Sequence, residues 1–464
     1  MIQPLFPMQK GMLFHHRLEP NSQQYFEQMV LTAEGPLDIR TFEKSFNLLI
    51  ERYDALRTVF LYEEMEAPLQ VVLVERKTAV YYEDLSALNE QEQQARIEQF
   101  TYQDRKSGFD LQSDILIRAS VFRIHPNSHK IILSNHHIIM DGWCLGIVMK
   151  DLLHIYEQIN RQQNVQLNQA PSNRSYAQWL EQQDEEEALA YWHQVLEGFE
   201  ERTGIPRKSS DSTRPGEYDG RESWITLGVD LTTALQHIAL KNQVTLNHVF
   251  LGMWGILLQR YNLTSDIALG TVISGRPPEV EGIENMVGLF INTIPIRITS
   301  RKGERFPDLL AHIQQTLLLG EKYGYASLAD IQARSELRQD LFDHIVSFQN
   351  FSNRTEVADA ATGGNAGLQI SDAEVFERTN YPLTVMVQPG EQLIIKINYD
   401  GHIYDRKMIE RLGTHLIQLA DTLSKNPEAL VSEIDMVTAG EKEQLLYGFN
   451  DTKTVYPQDQ TIYA

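Results

Sequence analysis

The chain has 464 residues, 42% of them hydrophobic, which is enough for about two to four domain-sized units with real cores. Lys and Arg total 41 against 63 Asp and Glu, a net charge of −22, which argues against phosphate backbones and anionic membranes as general partners. A single cysteine, Cys144, excludes an internal disulfide or a Cys-based zinc cluster, and no apolar run approaches the ~20 residues that span a bilayer.

The N-terminus, MIQPLFPMQKGMLFHH, lacks the basic start and long apolar stretch of a signal peptide, so a cytoplasmic location is expected. There is no fixed-period repeat. In DIRTFEKSFNLLIERYDALR, Phe42, Phe46, Leu49 and Tyr53 recur three and four apart and predict one face of a helix. PLQVVLV, ILIRASVFRI and KIILSN read as strands, and CLGIVMKDLLHIYEQI returns to helical spacing through Leu145, Val148, Leu152 and Ile155. A polar stretch, RQQNVQLNQAPSNRS, then precedes one charged helix, YAQWLEQQDEEEALAYWHQVLEG, and the main boundary is expected near residue 175.

A second strand-helix series follows: SWITLGV, LTTALQHIALKNQV, TLNHVFLGMWGILLQRY, DIALGTVISG and NTIPIRI. LFDHIVSFQNF and QLIIKINYD read as strands. DRKMIERLGTHLIQLADTLSKN reads as an amphipathic helix carrying Met408, Leu412, Leu416 and Leu419. NRTEVADAATGGNAG, 353–367, reads as an exposed loop, and GFNDTKTVYPQDQTIYA has linker composition, as if the chain were cut from a longer one.

The segment SNHHIIMDGWC, 134–144, carries the chemistry-bearing residues. In its plain reading Asp141 is the N-cap of the following helix. In its functional reading a neutral imidazole at the end of a strand is a general base, or holds an amine nucleophile, because its pKa lies near working pH. Adjacent residues leaving a strand point to opposite sides, so one of His136 and His137 can face a cleft while the other packs. Asp141 could then orient the loop through an arginine. A metal reading is weaker. His137 and Asp141 are four apart, but a third ligand would have to come from His15, His16, His125 or His129, and no HExxH occurs. There is no G-x-S-x-G, P-loop or dinucleotide fingerprint, and Cys144 at the start of an apolar helix reads as an inert thiol.

Taken together and in order, PLFPMQKGMLFHH (4–16), ERYDALRTVF (51–60), SNHHIIMDGWC (134–144), YNLTSDIALGTVISGRP (261–277), VGLFINTIPIRI (287–298) and RTNYPLTV (378–385) resemble condensation domains of nonribosomal peptide synthetases. The HHxxxDG core is shared with chloramphenicol acetyltransferase-like acyltransferases. The resemblance implies an α/β (α+β) fold of two acetyltransferase-like subdomains, 1–175 and 176–445, forming a V with a central tunnel. Residues 446–464 would lead towards an adenylation domain. A floor loop is expected at about 274–288 and a latch crossing between subdomains at about 353–385.

The implied reaction is amide formation. A donor thioester on one carrier protein's 4'-phosphopantetheine arm is attacked by the amine of an aminoacyl thioester on a second carrier, with no permanently bound cofactor, metal, nucleic acid or membrane. A thioester is already activated, so the enzyme must supply alignment and an unprotonated amine. The resemblance makes His137 the central residue, as proton acceptor or as positioner of the amine, beside His136. It gives Asp141 a structural ion pair with Arg57 or Arg52 and Gly142 a close backbone approach. Trp143, Met140, Ser274, Asn292 and Gln349 become tunnel residues.

The histidine pair argues against heterocyclising relatives. GEYDGRES (216–223) only superficially echoes an epimerase motif. PLFPMQKGMLFHH and MDGWC resemble the subtype joining two L-configured residues. Tyr53 and Asp54 depart from the family's His-Glu, which puts in doubt any role borrowed for them. The rival readings are a non-catalytic docking module for carrier proteins, which would be expected to lose the histidine pair, and a free-standing acyl-CoA transferase, against which the linker-like tail argues.

Overall fold

The apolar runs assemble into two principal sheets, one drawn mainly from each half of the chain. The computed structural model describes residues 1–20, 22–208, 218–349 and 368–452. The 353–367 part of the expected latch and the 453–464 part of the expected linker lie outside the described residues, as do the first two residues of GEYDGRES.

In the first half the order is β1 (Ile2–Pro4), α1 (Pro7–Leu18), β2 (Phe26–Glu34), α2 (Ile39–Arg52), β3 (Thr58–Leu61), β4 (Leu69–Val72), β5 (Tyr81–Asp84), α3 (Glu90–Ser107), β6 (Ile117–His125), β7 (Ser128–His136) and α4 (Trp143–Asn160). β6 and β7 form a hairpin closed by Pro126 and Asn127, with β2 antiparallel on the far side of β7 and β5 parallel to β6. α2 starts where the Asp38 carboxylate accepts the Thr41 N–H at 2.7 Å, and it buries Phe42, Phe46 and Leu49. Those side chains join Val148, Leu152 and Ile155 of α4 in one apolar cluster with Val121, Ile131 and Leu133 of the sheet.

The second half runs α5 (Arg174–Glu181), α6 (Glu185–Leu196), β8 (Gly220–Leu227), α7 (Val229–Lys241), α8 (Leu246–Asn262), β9 (Asp266–Ile273), β10 (Asn292–Thr299), α9 (Phe306–Lys322), α10 (Leu328–Ala333), β11 (His344–Phe348), β12 (Gln369–Phe376), β13 (Leu383–Gln388), β14 (Leu393–Asp400) and the helix Arg406–Lys425. Its six-stranded sheet has the order β10-β9-β11-β13-β14-β8. β9, β11 and β13 are mutually parallel and their flanking pairs antiparallel. Pro295 is accommodated because β10 is an edge strand, where a missing N–H breaks no ladder. α8 is buried without interruption from His248 to Gln259, and that is why its sequence is apolar all round.

One feature departs from the sequence reading. The charged helix expected after Tyr176 is two helices. Asp184 accepts the Glu187 N–H at 3.0 Å and starts α6, and the three glutamates at 185–187 suit the positive end of a helix dipole. β12, within the stretch where a latch is expected, does not join the sheet of its own half. It pairs antiparallel with β2, from Gln369 opposite Glu34 to Phe376 opposite Gln28, and so forms the edge of the five-stranded sheet β12-β2-β7-β6-β5.

On β9, next to the edge strand of the six-stranded sheet, Gly270 lies between Pro295 and Ile345, and a Cβ there would sit 2.5 Å from the Phe342 ring and 2.8 Å from Ile345. Gly270→Ala therefore overpacks the core and is expected to lower the unfolding free energy by about 1–3 kcal/mol, read from urea denaturation. An unchanged midpoint would contradict this account of the packing.

Candidate active site

β7 delivers the histidines. His136 is its last residue, opposite Phe26, and His137 opens a short 3-10 turn to Ile139. The two imidazoles diverge. His136 is buried, its Nδ1 accepts the Ile138 N–H at 3.1 Å, and its ring packs edge-on to His16 at 5.8 Å between centroids. Burial, then the neighbouring His16 and His137, pushes its pKa well below 6.5, so it is neutral. Its Nε2 has no partner among the described residues.

His137 is also buried, 8% exposed. Its Nδ1 lies 2.9 Å from the Met140 carbonyl. A carbonyl only accepts, so Nδ1 carries the hydrogen and Nε2 is turned the other way. Nε2 stands 3.2 Å from Oε1 of Glu27. The other oxygen of Glu27 accepts Asn135 Nδ2 at 2.8 Å. Glu377 completes the group: its carboxylate, that of Glu27 and the His137 ring present atoms all within 4.8 Å of one another. It arrives there because it follows β12, one step beyond the Phe376–Gln28 pair and therefore across from Glu27. Burial lowers the His137 pKa, but the Glu27 and Glu377 carboxylates outweigh it and the net shift is upward. Burial in turn raises that of Glu27, against the opposing pull of His137.

The backbone around the pair is strained. Tyr25, a bulky residue, has φ of 61°, and its carbonyl accepts the His137 N–H at 2.8 Å while its own N–H donates to the Arg378 carbonyl at 2.7 Å. Its hydroxyl donates to Asn380 at 2.8 Å, and Asn380 also meets His15 Nε2 at 3.1 Å. The RTNY segment is thereby fastened to both α1 and β2.

Asp141 is neither a helix cap nor a partner of Arg57 or Arg52. Its carboxylate is fully buried and pairs with Arg276 at 3.0 Å. Its second oxygen accepts the N–H groups of Phe290 and Ile291 at 3.0 and 3.3 Å, and the Cys144 thiol donates to Asp141 and to Gly288 O. Arg276 fills out its fork on the Ile283 and Met286 carbonyls and lies over the Phe290 ring at 4.5 Å. Arg52 instead pairs with Asp151 of α4 at 2.7 Å, and Tyr53 donates to the same oxygen. Arg57 pairs with Asp54 at 2.6 Å. Sequence reasoning misses Arg276 although it stands in the quoted ISGRP, because an ion pair across 135 residues leaves no spacing signal.

The other expected site residues divide. Met140 is buried and acts through its carbonyl. Trp143 is 40% exposed and its indole N–H donates to Glu284 O at 2.9 Å, on the 274–288 segment. Ser274 is exposed on the same segment. Its neighbour Gly275 has φ of 58°, and a Cβ there would meet the Phe290 carbonyl at 1.8 Å, so glycine is required. Gly142 starts α4 with φ of −60°, which any residue adopts, so no special backbone conformation explains it. Asn292 is buried and donates both amide hydrogens to Gly324 and Ala326 carbonyls, which makes it a brace of the α9–α10 turn instead of a substrate-facing residue. Gln349 is half-buried and bonds Gln388 at 3.2 Å. The histidine–aspartate metal set does not form. Asp141 faces Arg276, and His125 and His129 lie at the far end of the β6–β7 hairpin. Burial, then the Asp141 carboxylate, pushes the Cys144 thiol far above its ordinary range.

The model of the Condensation domain family matches residues 1–446. The chain belongs to that family. It is 39% identical over 459 residues to gramicidin S synthase 2 of Brevibacillus brevis, covering 99% of this chain and 10% of that protein. It is 39% identical over 464 residues to bacitracin synthase 3 of Bacillus licheniformis, covering 100% of this chain and 7% of that one. The condensation domain thus spans a small part of these relatives. Among solved structures it superposes on the first condensation domain of the CDA synthetase with a TM-score of 0.72 at 16% identity, covering 94% of this chain and 99% of that one. With the X-domain in the complex of the X-domain and OxyB from teicoplanin biosynthesis the TM-score is 0.79 at 16% identity, with 94% and 96% covered. The fold is therefore the chloramphenicol acetyltransferase-like α+β fold expected from the sequence. No helix among the described residues is long and apolar enough to cross a membrane.

Two outcomes follow from the geometry. Asp141→Asn removes the counter-charge of a buried guanidinium and is expected to destabilise the domain by about 3–5 kcal/mol in urea unfolding, whereas an exposed pair would change it by less than about 1 kcal/mol. Followed by NMR, the His137 imidazole is expected to titrate above 6.5. Glu27→Gln removes the charge that favours the imidazolium, so the midpoint moves down. A midpoint that stays in place would show that Glu27 does not act on His137.

Proposed function

We propose that this condensation domain forms peptide bonds in nonribosomal peptide synthesis. A donor aminoacyl or peptidyl thioester on an upstream carrier protein is transferred to the amine of an aminoacyl thioester on a downstream carrier. Both substrates ride on 4'-phosphopantetheine arms, and an adenylation domain adjoins the C-terminal end. The observation that carries this reading is the setting of His137: a buried imidazole whose Nδ1–H is committed to the Met140 carbonyl, which turns Nε2 towards Glu27 and the place proposed for the amine.

The chemistry needs no enzyme nucleophile. The amine lone pair attacks the thioester carbonyl, the C–N bond forms, the C–S bond breaks, and the thiol leaves with a proton. His137 Nε2 is the atom that takes or holds the amine proton, and His136 packs behind it as a neutral ring. Asp141 and Arg276 fix the loop that carries His137. Trp143 and Ser274 lie where the two halves, 1–175 and 176–445, meet along 274–288, the proposed floor of the tunnel. β12, with the undescribed segment before it, is the proposed latch. Its pairing with β2 supports that role because it hydrogen-bonds the later part of the chain onto the sheet that carries His137. Joining two L-configured residues remains part of the proposal.

The test uses two carrier proteins, one loaded with a peptidyl or aminoacyl thioester and the other with an aminoacyl thioester, read by intact-protein mass spectrometry. Donor mass is expected on the acceptor arm with the wild type, and the rate falls on the order of 10²–10⁴-fold in a folded His137→Ala. Unchanged transfer in that variant would move the chemistry elsewhere. No transfer from wild type across several pairs would favour a docking module.

A further inference from the structure

Resting on that reading, we propose that Glu27 and Glu377 form, with Nε2 of His137, the binding site for the acceptor's α-ammonium group.

A primary ammonium carries three N–H donors in a compact head. The cluster offers three acceptor-type atoms, one from each residue, all within 4.8 Å of one another. Each is aimed by a different constraint. The His137 ring is pinned at Nδ1 by the Met140 carbonyl. Glu27 is held through one oxygen by Asn135, its cross-strand partner on β7, which leaves the other facing Nε2. Glu377 is carried in by β12, and the residue after it is fastened by the Tyr25 N–H on its carbonyl. Two half-buried carboxylates beside one imidazole favour compensating positive charge. A single ammonium held between them supplies such a charge. Asp141, the nearest other acid on the same loop, already has its counter-charge in Arg276.

The site also resolves a proton problem. An α-amine has a pKa near ~8, so most of the acceptor arrives as ammonium at neutral pH. Of its three protons, one remains on the amide nitrogen and one leaves on the departing sulfur as the thiol. The third passes to Nε2 or a carboxylate and on to water. The ammonium supplies the charge that His137 otherwise supplies, so His137 is neutral and able to accept when the substrate is in place.

Two stable acceptor probes test this with the folded domain: an aminoacyl pantetheine thioether and its counterpart lacking the α-amine, titrated by calorimetry. Wild type is expected to bind the amine form more tightly by about tenfold or more, the strength of a charge-assisted hydrogen bond. The preference should collapse towards one in Glu27→Gln and in Glu377→Gln, two near-isosteric changes whose folding is checked by melting temperature. A preference that both folded variants retain overturns the proposal, whether or not wild type makes amide. So does a divalent ion (zinc or manganese, added alone) that binds stoichiometrically to wild type and not to the variants while the amine preference is untouched. A preference that collapses although wild type makes no amide keeps the ammonium site and removes the peptide-forming reading.

Discussion

The Asp141–Arg276 ion pair is the contact on which the arrangement depends. It joins the loop after β7, in the first half of the chain, to the β9–β10 connection in the second, and both side chains are out of water. A buried pair is an unpromising source of stability, because desolvating two ions offsets most of their attraction. Its value here is positional. Asp141 has four further claims on it: the Phe290 and Ile291 N–H groups, the Cys144 thiol and, through its own N–H, the Gly288 carbonyl. Arg276 is similarly committed to two carbonyls and an aromatic face. A loop so constrained has one conformation, and His137, four residues upstream, inherits it.

β12 supplies the second constraint. It leaves the half that encodes it, adds to the edge of the β2 sheet and leads into Glu377, beside Glu27 and His137. The site is thus composed from four places in the sequence, 27, 137 to 141, 276 and 377, and neither half contains it alone. The positive φ at Tyr25 fits that picture, since the strained residue touches both His137 and Arg378.

Much of this was legible in the sequence where period and composition are local. The helix faces of α2 and α4, the strands β6 and β7 and the strand end that bears the histidines all follow from composition and spacing within a dozen residues. The divergence of His136 and His137 follows from strand geometry as well. What escaped was non-local. Glu27 looks like one charged residue in an apolar strand, FEQMVL, and Glu377 stands one position before the RTNYPLTV that the family pattern marks. Their meeting depends on a strand crossing between sheets, which no periodicity encodes. ERYDALRTVF holds arginines at the place where the family pattern puts the partner of Asp141. Asp151 and Asp54, on α4 and in the motif itself, already occupy them. The break at Asp184 was readable, since an aspartate ahead of three glutamates is a helix start, but a continuous charged run masked it.

The most direct test of the account is to locate the acceptor nitrogen. A crystal structure of the domain with an amine-bearing pantetheine thioether bound is expected to place that nitrogen about 2.6–3.2 Å from His137 Nε2, between Glu27 and Glu377, with the Asp141–Arg276 pair intact. A nitrogen bound elsewhere, with His137 still paired to Glu27, would contradict it.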